Sequence, residues 1–233
     1  MIEVNRKEIE RYLGFKGVTE IDENIARTID ECIEEMNAQV NPKFTYKTFP
    51  IHWRFSFKLV PDEENGGSKK VKSTSCEFEG IQVESGNLLK NLEGCSEIVM
   101  LAVTLGNVPD MLVRKAEVRD MMKAYTFQAV GAAMAEGWCN EINDRIIKEA
   151  EERGLHARPR FSPGYGDFPL SVQKDFERIL EMPKTIGVTL SDSLLMTPTK
   201  SITAVIGLSE IDTNCEKSGC EQCSMAGRCE YAR

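Results

Sequence analysis

Between Ile51 and Leu59 apolar and polar residues alternate without a break: Ile51, Trp53, Phe55, Phe57 and Leu59 fall on one side, and His52, Arg54, Ser56 and Lys58 on the other. A period of two is the signature of a strand with one face buried. The segment PDEENGGSKK that follows is dense in turn-forming residues, and Val71 to Glu79 reads as the returning strand. The pattern therefore demands an antiparallel pair, and the rest of the chain must cover its apolar face.

Helical periodicity supplies the cover. Ile25, Ile29, Ile33, Met36 and Val40 recur at steps of three or four within residues 22 to 40, and Pro42 stands just past the end. Ser85 to Leu92 predicts a short helix, and the uniformly apolar Ile98 to Thr104 a buried strand. Residues 109 to 153 predict helix in two pieces, broken near Arg119 or Asp120, with a core stripe of Phe127, Val130, Met134, Trp138, Ile142 and Ile146. Gly154 ends that helix; a Pro- and Gly-rich loop, a helix near 171 to 180 and a strand from Ser201 to Leu208 follow. Strands and helices interleave without regular βαβ alternation, which predicts an α+β fold: a mostly antiparallel, twisted sheet with flanking helices. Residues 1–110 form the N-terminal helical and hairpin part of one domain, 111–210 its core with a binding loop, and 211–233 a cysteine-rich tail.

Several function classes fall away. Lys and Arg total 29 against 37 Asp and Glu, a net charge of -8, which opposes a nucleic-acid binder. Lys69, Lys70 and Lys72, beside Gly66 and Gly67, read as a solvated hairpin tip. The longest apolar run, Ile98 to Val103, is far short of the roughly 20 residues that span a bilayer. The N-terminus MIEVNRKEIE has no apolar core, so no membrane partner and a cytoplasmic location are expected. In that compartment eight cysteines are ligands or buried thiols rather than disulfides. No phosphate-binding loop, nucleophile elbow or H-E-x-x-H is present, and His52 and His156 read as surface residues. Gly164-Tyr165-Gly166 runs into Asp167-Phe168-Pro169, which opposes a dinucleotide-binding turn and disfavours a Rossmann-type methyltransferase.

Three features carry chemistry. Arg158 to Pro169 is stiffened by Pro and Gly and offers a guanidinium, an aromatic ring and exposed amides within a few residues; the alternative is a structural surface loop. Ala129, Ala132 and Ala133 let another backbone approach the long helix beside Glu136, which is then partly buried or else an ordinary exposed glutamate. Cys215, Cys220, Cys223 and Cys229 have intervening gaps of four, two and five residues, a thiolate set suited to zinc or an iron–sulfur cluster; the alternative is a reduced, flexible tail. Cys32, Cys76, Cys95 and Cys139 are scattered and read as structural thiols.

The R-x-x-x-G-Y run Arg160, Gly164, Tyr165, followed downstream by Gly187 to Pro198 and then Ser201, resembles the activation domain of cobalamin-dependent methionine synthase, across roughly residues 120 to 210. Two departures stand out: Gly166 and Asp167 replace residues that are often proline and alanine in the fused enzymes, and the cysteine tail has no counterpart there. The resemblance implies an activation-domain-like fold that binds S-adenosylmethionine and supports reductive remethylation of a corrinoid protein. It implies that Arg160 binds the methionyl carboxylate, that Ser162 gives backbone contacts, that Gly164 and Tyr165 lie near the ligand, with Tyr165 also near the corrin face, and that Glu136 meets the ammonium group or the partner. Cobalamin would come from a methyl-transfer partner, and the electron from a flavodoxin- or ferredoxin-like donor or from an iron–sulfur tail. A self-sufficient methyltransferase, or a metal-containing electron carrier or assembly factor, are the competing readings.

Overall fold

The computed structural model describes residues 1–15, 21–61, 68–83 and 85–212, so the hairpin tip at 62–67 and the tail with Cys215, Cys220, Cys223 and Cys229 lie outside the described residues. In chain order the elements are α1 Arg6–Tyr12, α2 Glu23–Asn37, β1 Lys43–Pro50, β2 His52–Pro61, β3 Ser68–Phe78, β4 Ile81–Val83, α3 Gly86–Asn91, β5 Glu97–Thr104 and α4 Val108–Glu117. They continue with α5 Met121–Glu151, β6 His156–Ala157, α6 Gln173–Ile179, α7 Met182–Thr185, β7 Thr189–Leu190, β8 Met196–Thr197 and β9 Ser201–Ser209. Two compact units are interleaved along the chain: Met1–Tyr46, Leu101–Lys148 and Gln173–Thr203 make the first, and Lys47–Met100, Glu149–Val172 and the chain from Ala204 the second.

One sheet has the order β1-β5-β9-β6 and another β2-β3-β4. β6 runs antiparallel to β9, pairing His156 with Ser209 and Ala157 with Leu208. β5 is also antiparallel to β9, because Ser96 N–H donates to Leu208 O at one end and Leu105 N–H to Lys200 O at the other. The α+β reading with mostly antiparallel strands agrees with this.

In the first unit, α2 begins where the Asp22 carboxylate accepts the N–H groups of Asn24 and Ile25, and it buries Ile29, Cys32 and Met36. They join Phe127, Val130 and Met134 of α5 in one core. The predicted break before α5 has a cause: Asp120 Oδ1 accepts the Lys123 N–H at 3.0 Å and starts a new helix. α5 is approached closely at Gly137, where a Cβ would lie 2.3 Å from the Glu3 carbonyl oxygen.

In the second unit β2 pairs antiparallel with β3, placing Trp53 opposite Cys76 and Phe55 opposite Thr74. The expectation of a continuously buried β2 face needs correction: Phe55 is 61% and Phe57 71% exposed. β4 widens the sheet only beside Cys76 to Phe78 of β3, opposite the start of β2. Trp53 donates its indole N–H to Cys95 O at 3.0 Å. His156, expected in a loop, opens β6, and it is exposed as expected.

Candidate functional site

The Arg158–Pro169 segment runs on from β6, within the second unit. Beyond β6 the chain keeps running along β9: Arg158 N–H donates to Gly207 O at 2.8 Å, and Phe161 exchanges both backbone hydrogen bonds with Val205 at 2.9 and 2.8 Å. Gly207 leaves room for close packing here, since a Cβ there would lie 2.7 Å from Cys95 Sγ and 2.8 Å from Leu92 Cδ2. The ladder ends at Phe161, and a closed loop begins at Ser162.

Three backbone bonds close it. Tyr165 N–H donates to Ser162 O at 3.2 Å, Phe168 N–H to Tyr165 O at 3.0 Å, and Gly164 N–H to Phe168 O at 2.9 Å. Gly164 (φ +92) and Gly166 (φ +56) take up the left-handed backbone that the closure requires. Phe168 is buried and sets its ring 6.2 Å from that of Phe161, pinning the return of the loop. Tyr165 is left at the tip with 71% of its surface exposed.

The loop is clamped by a residue that the sequence patterns left unassigned. The Asp167 carboxylate accepts the Ser85 hydroxyl, the Gly86 N–H at 2.6 Å and the Asn87 N–H at 3.1 Å, all at the start of α3. Asn91 Nδ2, at the other end of α3, donates to Pro159 O at 2.9 Å. These bonds, the Ser85 hydroxyl first and then the two amides, hold the Asp167 carboxyl below its ordinary range. The same geometry accounts for both local departures from the activation-domain pattern: proline cannot adopt the φ of Gly166, and alanine at Asp167 would lack the clamp.

Arg160, Ser162, Gly164 and Tyr165 thus lie on one short stretch of the second unit, with Arg160 and Ser162 half-buried and Tyr165 outermost. The expected row of exposed amides is shorter than the sequence suggested, because the N–H groups of Gly164 and Tyr165 are spent inside the loop. The Ser162 N–H makes no hydrogen bond among the described residues. Glu136 is half-buried on α5, in the first unit.

The downstream block, Gly187 to Ser201, forms α7's exit and the small β7–β8 hairpin, which pairs Thr189 with Thr197 and Leu190 with Met196. At its end the Asp110 carboxylate accepts both the hydroxyl and the N–H of Thr199, and Lys200 Nζ donates to Gln128 Oε1 at 2.6 Å. Burial pushes the Lys200 ammonium down, against the opposing pull of Asp110.

Cys32, Cys76, Cys95 and Cys139 are buried thiols outside any disulfide, in keeping with a structural role. Desolvation pushes Cys76 up to about 11 and Cys32 up to about 12. Among the described residues no group of three or more His, Cys, Asp or Glu is placed to hold a metal ion. No helix among them is long and apolar enough to cross a membrane.

No protein-family model matches the chain, and no curated protein matches it either. Among solved structures, the crystal structure of the MetH reactivation domain bound to AdoHcy matches with a TM-score of 0.55, covering 86% of this chain and 73% of that one at 16% sequence identity. At that identity the likeness is one of fold, and it agrees with the mixed helix and antiparallel-sheet architecture described above.

Proposed function

We propose that this chain binds S-adenosylmethionine and serves as a reactivation module for a cobalamin-dependent methyl-transfer protein, most simply a methionine synthase. The observation that carries the reading is the shared fold with a reactivation domain that holds AdoHcy, the demethylated form of that ligand. The R-x-x-x-G-Y loop supports it independently: a braced turn that offers a cation, an unspent amide and an exposed ring is suited to an amino-acid-bearing sulfonium.

In this reading the Arg160 guanidinium takes the ligand's carboxylate, and the Ser162 backbone gives it a further hydrogen bond. Gly164 lets the chain turn near the ligand, the Tyr165 ring lies near the ligand and the partner's corrin face, and Glu136, in the first unit, is kept for a contact with the partner. The chemistry supplied from outside is one electron, from a flavodoxin- or ferredoxin-like donor, and the sulfonium methyl that passes to the partner's reduced cobalt. Such a transfer needs alignment and exclusion of water more than proton movement. A site built from Arg, Tyr and backbone, with no histidine in its loop, meets that need.

The test is anaerobic. Calorimetric titration of the isolated chain with S-adenosylmethionine should give saturable binding, with no turnover until a cobalamin protein and a reductant are added; the visible spectrum of the corrinoid then reports methylation. Turnover by the chain alone would make it a self-sufficient methyltransferase. No ligand binding at all would leave an electron carrier or assembly factor. Metal analysis of the same sample reads whether Cys215, Cys220, Cys223 and Cys229 hold zinc or an iron–sulfur cluster.

A further inference from the structure

Five large apolar side chains stand out of the surface of the first unit between the start of α4 and the second turn of α5. Met111, Val118, Met121, Met122 and Tyr125 are between 52% and 85% exposed. Their positions follow from what the helices bury. α4 turns Leu112, Val113 and Ala116 inward, so Met111 and Val118, seven residues apart, share its outer side. α5 turns Ala124 and Phe127 inward, so Met121, Met122 and Tyr125 share its outer side. Together they expose on the order of 600 Å² of mostly apolar surface, the upper end of what a monomer's largest patch shows.

The charges around this corner say what could cover it. Arg114, Lys115 and Arg119 are exposed beside the equally exposed Glu117 and Asp120, so both signs alternate along the rim. The chain as a whole carries -8, and two copies would repel across most of their surfaces. At this corner the signs nearly balance, so the like-charge repulsion that opposes contact between copies elsewhere is small here. A rim of one sign would instead have pointed to a foreign partner of the opposite sign.

The size fits as well. Two such patches face to face cover about 1,200 Å², the lower bound for stable interfaces.

We propose that the α4–α5 corner is a self-association surface, on which a second copy of this chain packs the same methionines and Tyr125 about a two-fold axis. Sedimentation analysis of the full chain from sub-micromolar to several hundred micromolar should show a monomer converting to a dimer. The double substitution V118E/M122E should weaken association by about tenfold or more, as loss of central apolar anchors does. Its far-UV circular dichroism and melting temperature should stay close to those of the parent, since both positions are solvent-facing. Hydrogen exchange on the unaltered chain gives a second reading: amides of residues 118–125 should gain protection as concentration rises. A chain that stays monomeric throughout overturns the proposal, as does a V118E/M122E variant that dimerises as tightly as the parent. Capture of a cobalamin protein at this corner by a monomeric chain overturns it too.

Discussion

Arg160 and Asp167 stand seven residues apart in one loop and carry opposite duties: one would meet a ligand, the other holds the loop to α3. The two can be separated by measurement. Arg160→Ala should weaken S-adenosylmethionine binding by about 1.5–3 kcal/mol, the range for hydrogen bonds to charged groups. Equal affinity by calorimetry would remove Arg160 from the ligand. Asp167→Ala should cost about 1 kcal/mol of stability, at the modest end for a side chain that satisfies helix N-terminal amides, because the carboxylate is solvent-accessible. The Asp167 carboxyl is held below its ordinary value of 3.8, so the clamp stabilises the folded state fully above that pH. Its contribution fades as the pH falls through the lowered folded value, so the unfolding free energies of the parent and Asp167→Ala should converge in acid. A difference that persists undiminished at low pH would mean that the carboxylate's charge is not what holds the loop.

Elements were legible where a periodic pattern had room to repeat. The period of two located β2 and β3, the steps of three and four located α2, and Asp120 marked the break before α5 because its cap is local. β6, β7 and β8 have two residues each, too few for any period to declare itself. The loop's clamp was illegible for a different reason: Ser85 and Asp167 are 82 residues apart, and nothing in their spacing couples them. Burial of Phe55 and Phe57 was misjudged because alternation reports which side chains share a face, not whether anything covers that face. The small residues of α5 suggested a close backbone approach without locating it, and Gly137, where it falls, can be tested. Alanine in place of glycine normally favours a helix by about 1 kcal/mol. Here its Cβ would meet the Glu3 carbonyl at 2.3 Å, next to the buried Ile2, whose N–H donates to Asn37 Oδ1 at 3.1 Å. Gly137→Ala should therefore lower the melting temperature; a rise would mean that the N-terminal segment yields without cost.

At the scale of the whole molecule, both units bury thiols whose ionisation opposes folding. Cys32 in the first unit and Cys76 in the second have folded-state values raised by desolvation to about 12 and about 11, against an ordinary 9.0. An acid whose folded value is raised keeps its proton in the native state after the unfolded chain has lost it. The contribution is present below about pH 9 and is lost as the pH rises through the window from there to about 11 for Cys76 and about 12 for Cys32. Unfolding titrations should show stability declining across that window, and Cys32→Ser should flatten the part due to its own thiol. The same burial sorts the chain's eight cysteines by reactivity. With a disulfide reagent at about pH 8, where attack depends on the thiolate fraction, Cys32, Cys76, Cys95 and Cys139 should stay silent until the protein unfolds. Cys215, Cys220, Cys223 and Cys229 should then behave in one of two ways: immediate reaction marks a reduced tail without metal, whereas reaction released by a chelator, with the fold intact, marks a metal-bound one. A tail that reacts only together with the four buried thiols, on unfolding, would fit neither state and would mean that the tail's cysteines are shielded by the protein itself.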